Sequence, residues 1–137
     1  MRKILVSALA PVLAVTIAAL SAQSATAADL TGAELASMFH GKTAYIEFSG
    51  DNAATGKGQG AIYYQADGKV AGRLPNGQMR KGMRTIKDNT ACLGWDGGPP
   101  PICSRLERDG DKVKIIGVDG KSPGTITKIV DGNPEKL

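Results

Sequence analysis

The sequence predicts a mainly β domain, in which one short N-terminal helix precedes about eight antiparallel strands that form a small meander barrel or a sandwich. Three observations support this prediction. Turn dipeptides recur at short intervals, the segments between them have the length and composition of strands, and the only two cysteines lie in neighbouring segments. Many short strands separated by turn residues are typical of antiparallel barrels and sandwiches.

The N-terminus has the layout of a secretory signal peptide. Basic residues precede an apolar run over 4–20, and an A-x-A cleavage sequence follows at 25–27. We expect residues 1–27 to be removed and residues 28–137 to form a single domain. A membrane anchor is the alternative, because the run approaches the roughly 20 residues of a spanning helix, but Pro11 interrupts it. The predicted location is therefore the periplasm or the exterior, with no membrane contact after cleavage.

The charge of the chain does not require a nucleic-acid partner. Two of the 17 basic residues belong to the predicted leader and all 13 acidic residues follow it, which lowers the net charge from +4 to +2 in the mature chain. A charge this small is not the electrostatic footprint of a nucleic-acid-binding domain. We expect a monomer without a nucleic-acid partner.

Residues 30–41 are the one mature segment with a helical pattern. Thr31 and Glu34 have the spacing of a capping box, and Gly41 can end the helix in the left-handed conformation. The predicted apolar face consists of Leu35, Met38 and Phe39. We predict a helix of two to three turns that packs on an apolar surface.

Eight strands are predicted in the rest of the chain. The turn dipeptides between them are Asp-Gly at 67–68, 96–97, 109–110, 119–120 and 131–132, and Asn-Gly at 76–77. The predicted strands are 43–49, 61–66, 69–74, 78–87, 90–95, 102–108, 112–118 and 124–130. Alternation places Ala44, Ile46 and Phe48 on one face of the first strand, as expected for a half-buried strand. The glycine-rich segment 49–60 is predicted to be a mobile loop.

The predicted strand 78–87 has no clean apolar face. It is therefore either an edge strand or one that faces a polar cavity. Alternation places Arg80 and Arg84 on one face and Lys81 and Lys87 on the other. These charges are ordinary solubilising groups if they face solvent, whereas arginines at a barrel mouth could hold an anionic ligand through charge-assisted hydrogen bonds. The candidate ligand-binding residues are Tyr63, Tyr64, Arg80 and Arg84.

Cys92 and Cys103 are predicted to form a structural disulfide. An exported chain with two cysteines favours one pair, and ten intervening residues fit neither a C-x-x-C redox centre nor a zinc site. A hairpin that sets these cysteines opposite each other also sets Leu93 opposite Ile102 and Ala91 opposite Ser104. The apolar face of this hairpin is predicted to contain Ala91, Leu93, Trp95, Ile102, Ser104 and Leu106. A following turn at 109–110 would pair Leu106 with Val113 and Glu107 with Lys112.

Catalytic chemistry has little support in the sequence. His40 is the only histidine, which excludes a multi-histidine metal centre, and its place at the helix end favours a structural role. Gly56 to Gly60 lack the spacing of a phosphate-binding loop. Met79 and Met83 share one strand face, where filling of the core is preferred to a copper site. We predict a protein without enzymatic activity, cofactor or metal.

The order of several short motifs resembles a known family. The motifs are L-T-G-x-E-L, GKTAY, Tyr-Tyr followed by Asp-Gly, Lys-Gly-x-x-x-Ile leading to a Cys, and a second Cys before an apolar strand and Asp-Gly. Over residues 30–132 the chain is similar to a family of small secreted alpha-proteobacterial proteins known mainly as a domain of unknown function. The resemblance implies export and an all-β domain with a paired cysteine, and it carries no catalytic residues.

Three functional hypotheses follow. The first is an exported non-catalytic β-domain that binds a small ligand in a barrel mouth, or an envelope component or partner protein on its rim. The second is an inhibitor of a secreted enzyme, whose inserting loop would be preorganised by the disulfide. This loop comprises Asp96, Gly97, Gly98, Pro99, Pro100 and Pro101. The third is a hydrolase that uses His40 and scattered carboxylates. A deep cavity lined by the candidate residues would favour the first.

Overall fold

One closed β-sheet surrounds the core of the protein. The computed structural model describes residues 28–53 and 55–137, so the predicted signal peptide lies outside the described residues. The chain forms one helix, α1 (Gly32–Phe39), within this part. Its strands are β1 (Ala28–Asp29), β2 (Lys42–Ser49), β3 (Lys57–Tyr64), β4 (Lys69–Arg73), β5 (Met79–Lys87), β6 (Thr90–Trp95), β7 (Ile102–Asp109), β8 (Lys112–Gly117) and β9 (Gly124–Asp131).

Strands β2 to β9 form an eight-stranded antiparallel meander barrel. Each strand pairs with the next along the chain, and β9 pairs with β2, which closes the sheet. The predicted mainly β fold is confirmed, and of the two predicted architectures it is the barrel. An edge position for the 78–87 segment is wrong, because β5 pairs with β4 on one side and β6 on the other. Closure leaves this strand with one face inside the barrel.

The predicted turns are confirmed. The glycines of all six Asp-Gly and Asn-Gly dipeptides have positive φ, as the tight connections between strands require. These glycines are Gly68, Gly77, Gly97, Gly110, Gly120 and Gly132.

Strand β3 begins earlier than the sequence predicts. It starts at Lys57, opposite Ser49 of β2, so the predicted loop over 49–60 is shortened to the segment between these two residues. Gly60 shows the physical reason. A Cβ atom at Gly60 would lie 2.7 Å from Cε2 of Phe48, so the absence of a side chain lets the aromatic ring cover this strand. Glycines that weaken the sequence pattern of a strand are required here by close packing.

Helix α1 closes one end of the barrel, which we call the floor. The predicted capping box is present: the backbone N–H of Glu34 donates to Thr31 Oγ1 at 3.3 Å, and the Thr31 N–H donates to Glu34 Oε2 at 2.8 Å. Leu35 and Phe39 are buried as predicted, and Met38 is half-buried. The N–H of Gly32 donates to Asn89 Oδ1 at 2.9 Å, which ties the helix to the β5–β6 connection.

The seam between β6 and β7 is short and is closed by the disulfide. Only three residue pairs join these strands, with Cys92 opposite Cys103, Leu93 opposite Ile102 and Ala91 opposite Ser104. The predicted disulfide and its register are both confirmed. The rest of this edge of β7 pairs with β1, a strand that the sequence analysis did not predict. The N-terminal segment therefore completes the barrel wall beyond the start of β6.

The β7–β8 hairpin differs from the prediction by two residues. Leu106 pairs with Ile115 instead of Val113, and Glu107 pairs with Lys114 instead of Lys112. The cause is a turn centred one residue later, with Asp109 paired to Lys112 and Gly110 in the left-handed conformation. Because a shift of two residues preserves strand alternation, Leu106 remains on the inner face.

Candidate functional site

A cavity of about 400 Å³ lies inside the barrel. It extends from the floor to the opposite end, which we call the mouth. The mouth is surrounded by the loops that follow β2, β4, β6 and β8, because alternate connections of a meander lie at the same end. Cavities of roughly 300–1,000 Å³ are typical of sites for small molecules.

The cavity walls are mainly apolar. They include Ile46, Phe48, Ile62, Leu93, Leu106 and Ile126, which are inward-facing residues of five strands. Trp95 also lines the cavity and its ring lies against β4, where a Cβ atom on Gly72 would be 2.8 Å from the Trp95 ring. The glycine thus lets the indole occupy the wall instead of the centre of the barrel.

Arg84 lies at the inner end of the cavity. Its Cζ atom is 5.1 Å from the ring centroid of Tyr64 and 5.6 Å from that of Phe39. Those two rings are in contact, with centroids 4.7 Å apart. Since Phe39 belongs to α1, these contacts place the guanidinium beside the floor. Cation–π attraction to both rings holds it there.

The guanidinium of Arg84 has no anionic partner among residues 28–53 and 55–137. Its Nη1 atom is the one buried side-chain nitrogen or oxygen without a hydrogen-bond partner in the part of the chain that the structure describes. None of the ion pairs among these residues involves Arg84. Burial lowers the pKa of Arg84, and the nearby Tyr64 acts in the opposite direction. The side chain nevertheless remains charged, because its ordinary pKa is far above neutrality.

Tyr64 provides a neutral donor beside this charge. Its side chain lines the cavity, and burial raises the pKa of the hydroxyl to about 12. The phenol is therefore protonated at neutral pH. Tyr63, the other predicted tyrosine, is half-buried and does not line the cavity, because neighbouring residues of a strand point to opposite faces.

Arg80 lies on the same inner face of β5 but closer to the mouth. The two arginines are four residues apart, which corresponds to roughly 13 Å along a strand. The half-exposed Arg80 donates from Nη2 to Gln78 Oε1 at 3.3 Å. The two positively charged residues therefore differ in depth and in partners, although sequence alternation treats them as equivalent.

The rim of the mouth exposes apolar side chains. Val118 is 93% exposed and Ile102 is 53% exposed, although the sequence analysis placed Ile102 in the core. Ile102 is the first residue of β7, so it reaches the opening instead of the interior. Pro99 and Pro100 of the predicted partner-contact loop also line the cavity, and all six residues of that loop are exposed.

The residues considered for catalysis or metal binding lie elsewhere. His40 is the exposed C-cap of α1 and does not line the cavity. The carboxylates that line it, Asp51 and Asp119, lie in loops at the mouth. Met79 and Met83 are 59% and 47% exposed, so the prediction that they fill the core is wrong. No cluster of three or more histidine, cysteine, aspartate or glutamate side chains suited to a metal occurs within residues 28–53 and 55–137.

Several cavity residues were missed by the sequence analysis. They are the rim residues Asp51, Asn52, Thr55, Val118, Asp119 and Lys121. The order of the hairpins could have predicted that these loops lie together, because the connections after every second strand of a closed meander meet at one end. Within residues 28–53 and 55–137, no helix has the length and apolar character that crossing a membrane requires.

Comparison with known proteins gives no relative from which a function could be taken. No protein-family model matches the chain, and no curated protein or solved structure matches it significantly.

Proposed function

We propose that this protein is a non-catalytic binding protein that holds a small, mainly apolar ligand inside its barrel. The observation that carries this proposal is the cavity of about 400 Å³, which has apolar walls, a floor closed by α1 and an opening at the other end. Largely apolar cavities with a few polar groups are typical of small-molecule sites. Arg84 and Tyr64 supply those polar groups.

The proposed place of action is the periplasm or the exterior of the cell, and the proposed form is a monomer. The disulfide between Cys92 and Cys103 supports this location, since such bonds persist in oxidising compartments. The signal-peptide pattern points the same way. The resemblance to the small secreted family implies export and an all-β domain with a paired cysteine, and we retain that family as part of the proposal.

The positions of other candidate residues favour ligand binding over the two alternative functions. Pro99 and Pro100 line the cavity, which supports a role of the 96–101 loop in the mouth and not in an enzyme's active site. His40 lies outside the cavity, whereas general acid–base catalysis requires the acid and the base near the bound substrate. Protein partners and envelope components would then be sources or recipients of the ligand.

Titration of the purified protein with phenylnaphthylamine, a neutral apolar fluorophore, tests the proposal. Trp95 is the only tryptophan of the chain and lines the cavity, so its emission reports on occupation directly. We expect saturable binding of one probe per chain, accompanied by quenching of Trp95. Non-saturable binding without a change in tryptophan emission would contradict the proposal.

A pair of phenylalanine variants provides the control. Ala91→Phe adds a ring to the cavity lining and should weaken probe binding at least about fivefold, because overpacking of a filled site costs about 1–3 kcal/mol. Met83→Phe adds the same ring on the exposed outer face and should leave the affinity unchanged. Equal effects of the two substitutions would show that the probe binds elsewhere.

A further inference from the structure

The inner end of the cavity contains a permanent cation, Arg84, that no side chain in the described part of the protein neutralises. Arg84 Nη1 is buried without a hydrogen-bond partner among the described residues. An unpaired buried donor costs free energy, and a charged one costs more. The cation–π contacts with Phe39 and Tyr64 compensate part of the charge, but ring faces do not satisfy the five N–H donors of a guanidinium. A ligand with an acceptor group can satisfy them.

Charge and apolar surface are distributed unevenly along the cavity. The unpartnered cation lies beside the floor and the walls are apolar, whereas the rim exposes Val118 and Ile102 next to charges of both signs, which are Arg80, Lys121, Asp51 and Asp119. A molecule that complements this order has an anionic head and an apolar chain. Its head would reach the inner end, and the far end of its chain would lie among the apolar side chains at the opening.

We propose that the ligand is an amphipathic monoanion of the alkyl carboxylate class that enters the barrel head first. This inference rests on the proposed function. Arg84 binds the carboxylate at the floor and determines specificity. One guanidinium presents two parallel N–H groups, which match the two oxygens of one carboxylate. Tyr64, whose ring contacts Arg84, provides a further donor through its protonated hydroxyl.

Three probes with the same chain and different heads test this inference. Laurate, lauryl alcohol and laurylamine, each below the concentration at which it aggregates or separates from water, are used to displace phenylnaphthylamine from the purified protein. We expect laurate to bind about 10- to 100-fold more tightly than lauryl alcohol, the ratio that a hydrogen bond to a charged group provides. Laurylamine should bind most weakly, because its ammonium group would approach the guanidinium.

Two arginine variants locate the head group. Arg84→Leu should remove the preference for laurate while lauryl alcohol still binds. Arg80→Leu is the matched control on the same strand face, and it should change the laurate affinity by less than about fivefold, as for an exposed charge. Arg84→Gln, which keeps a polar side chain, should lose the preference too. This second variant and circular dichroism of each protein keep a folding defect separate from a binding defect.

The outcomes separate this inference from the function on which it rests. If laurate and lauryl alcohol bind equally well to the unmodified protein, the cavity is an apolar site and the inference is wrong, while the proposed function stands. If Arg80→Leu removes the preference and Arg84→Leu does not, the head lies at the mouth and head-first entry is wrong. If no probe is displaced and none binds, the proposed function itself fails.

Discussion

The floor and the mouth of the barrel use apolar residues in different ways. At the floor, Leu30, Leu35 and Phe39 are at most 2% exposed and pack between α1 and the strands. At the mouth, Ile102 and Val118 are 53% and 93% exposed. The same class of side chain therefore contributes to folding at one end and remains available for contact at the other.

This difference assigns stability to the floor and, under the proposed function, binding to the mouth and cavity, with one exception. Arg84 is half-buried beside the floor, yet its buried Nη1 atom has no hydrogen-bond partner among the described residues. Such a group reduces stability unless a ligand pairs with it. The following predictions test the division between the two ends.

The largest expected effect is at the centre of the floor. Leu35 is 0% exposed, so Leu35→Ala should lower the free energy of unfolding by about 2–5 kcal/mol, because a cavity remains where the side chain is lost. Val118→Ala at the rim should change it by less than about 0.5 kcal/mol. Equilibrium unfolding in urea measures the free energy of unfolding of both variants. Similar losses at the two ends would contradict the proposed difference between floor and mouth.

The disulfide is the next test, because it closes the short seam between β6 and β7. The double variant Cys92→Ser, Cys103→Ser should have a free energy of unfolding about 3 kcal/mol lower than that of the unmodified protein. Loop entropy gives this value for a loop of this length. Reduction of the unmodified protein should reproduce this loss. Unchanged stability after reduction would mean that the three residue pairs of the seam suffice without the bond.

Alkaline pH tests the floor through Tyr64. Burial raises the folded-state pKa of its hydroxyl from 10.0 to about 12, so the neutral form stabilises the folded state. This contribution is complete below pH 10 and is lost as the pH rises through 12. Between these values the unmodified protein should lose roughly 2–3 kcal/mol more than Tyr64→Phe.

Tyr63→Phe is the control for this measurement, since Tyr63 is half-buried and lies on the outer face. Unfolding in urea at both pH values should give the same alkaline loss for Tyr63→Phe as for the unmodified protein. If Tyr63→Phe reduced the alkaline loss of stability and Tyr64→Phe did not, the result would contradict the burial of Tyr64 at the floor.

The smallest effect is expected at the start of α1. Thr31 accepts a hydrogen bond from the N–H of Glu34, and Thr31→Ala should cost about 1 kcal/mol. Thr31→Ser keeps the hydroxyl and should cost less. Unfolding monitored by circular dichroism compares the two variants, and equal losses would indicate that the hydroxyl does not cap the helix.

Local features of this fold were predictable from the sequence because local rules determine them. The capping box at Thr31 and Glu34, the positive φ of the Asp-Gly glycines and the pairing of Cys92 with Cys103 each depend on a few neighbouring residues. The start of β3 was not predictable in this way. Gly60 of β3 packs under Phe48, a contact that exists only after β2 and β3 have paired.

The candidate site was predictable only in part, for a similar reason. Strand alternation placed Arg80 and Arg84 on one face, but it assigned neither a depth nor a partner to either residue. The depth of Arg84 depends on barrel closure between β9 and β2 and on Phe39 from α1. Likewise, strand alternation placed Ile102 on the apolar face of its hairpin. The residue is exposed because β7 begins at the rim.

The most direct test of the central claim is a crystal structure of the protein with laurate bound. We predict that the carboxylate lies within about 3 Å of Arg84 Nη1 and that the alkyl chain extends along the apolar walls toward Ile102 and Val118. Laurate on the outer surface, or inside the barrel with its carboxylate beside Arg80 at the mouth, would contradict the account.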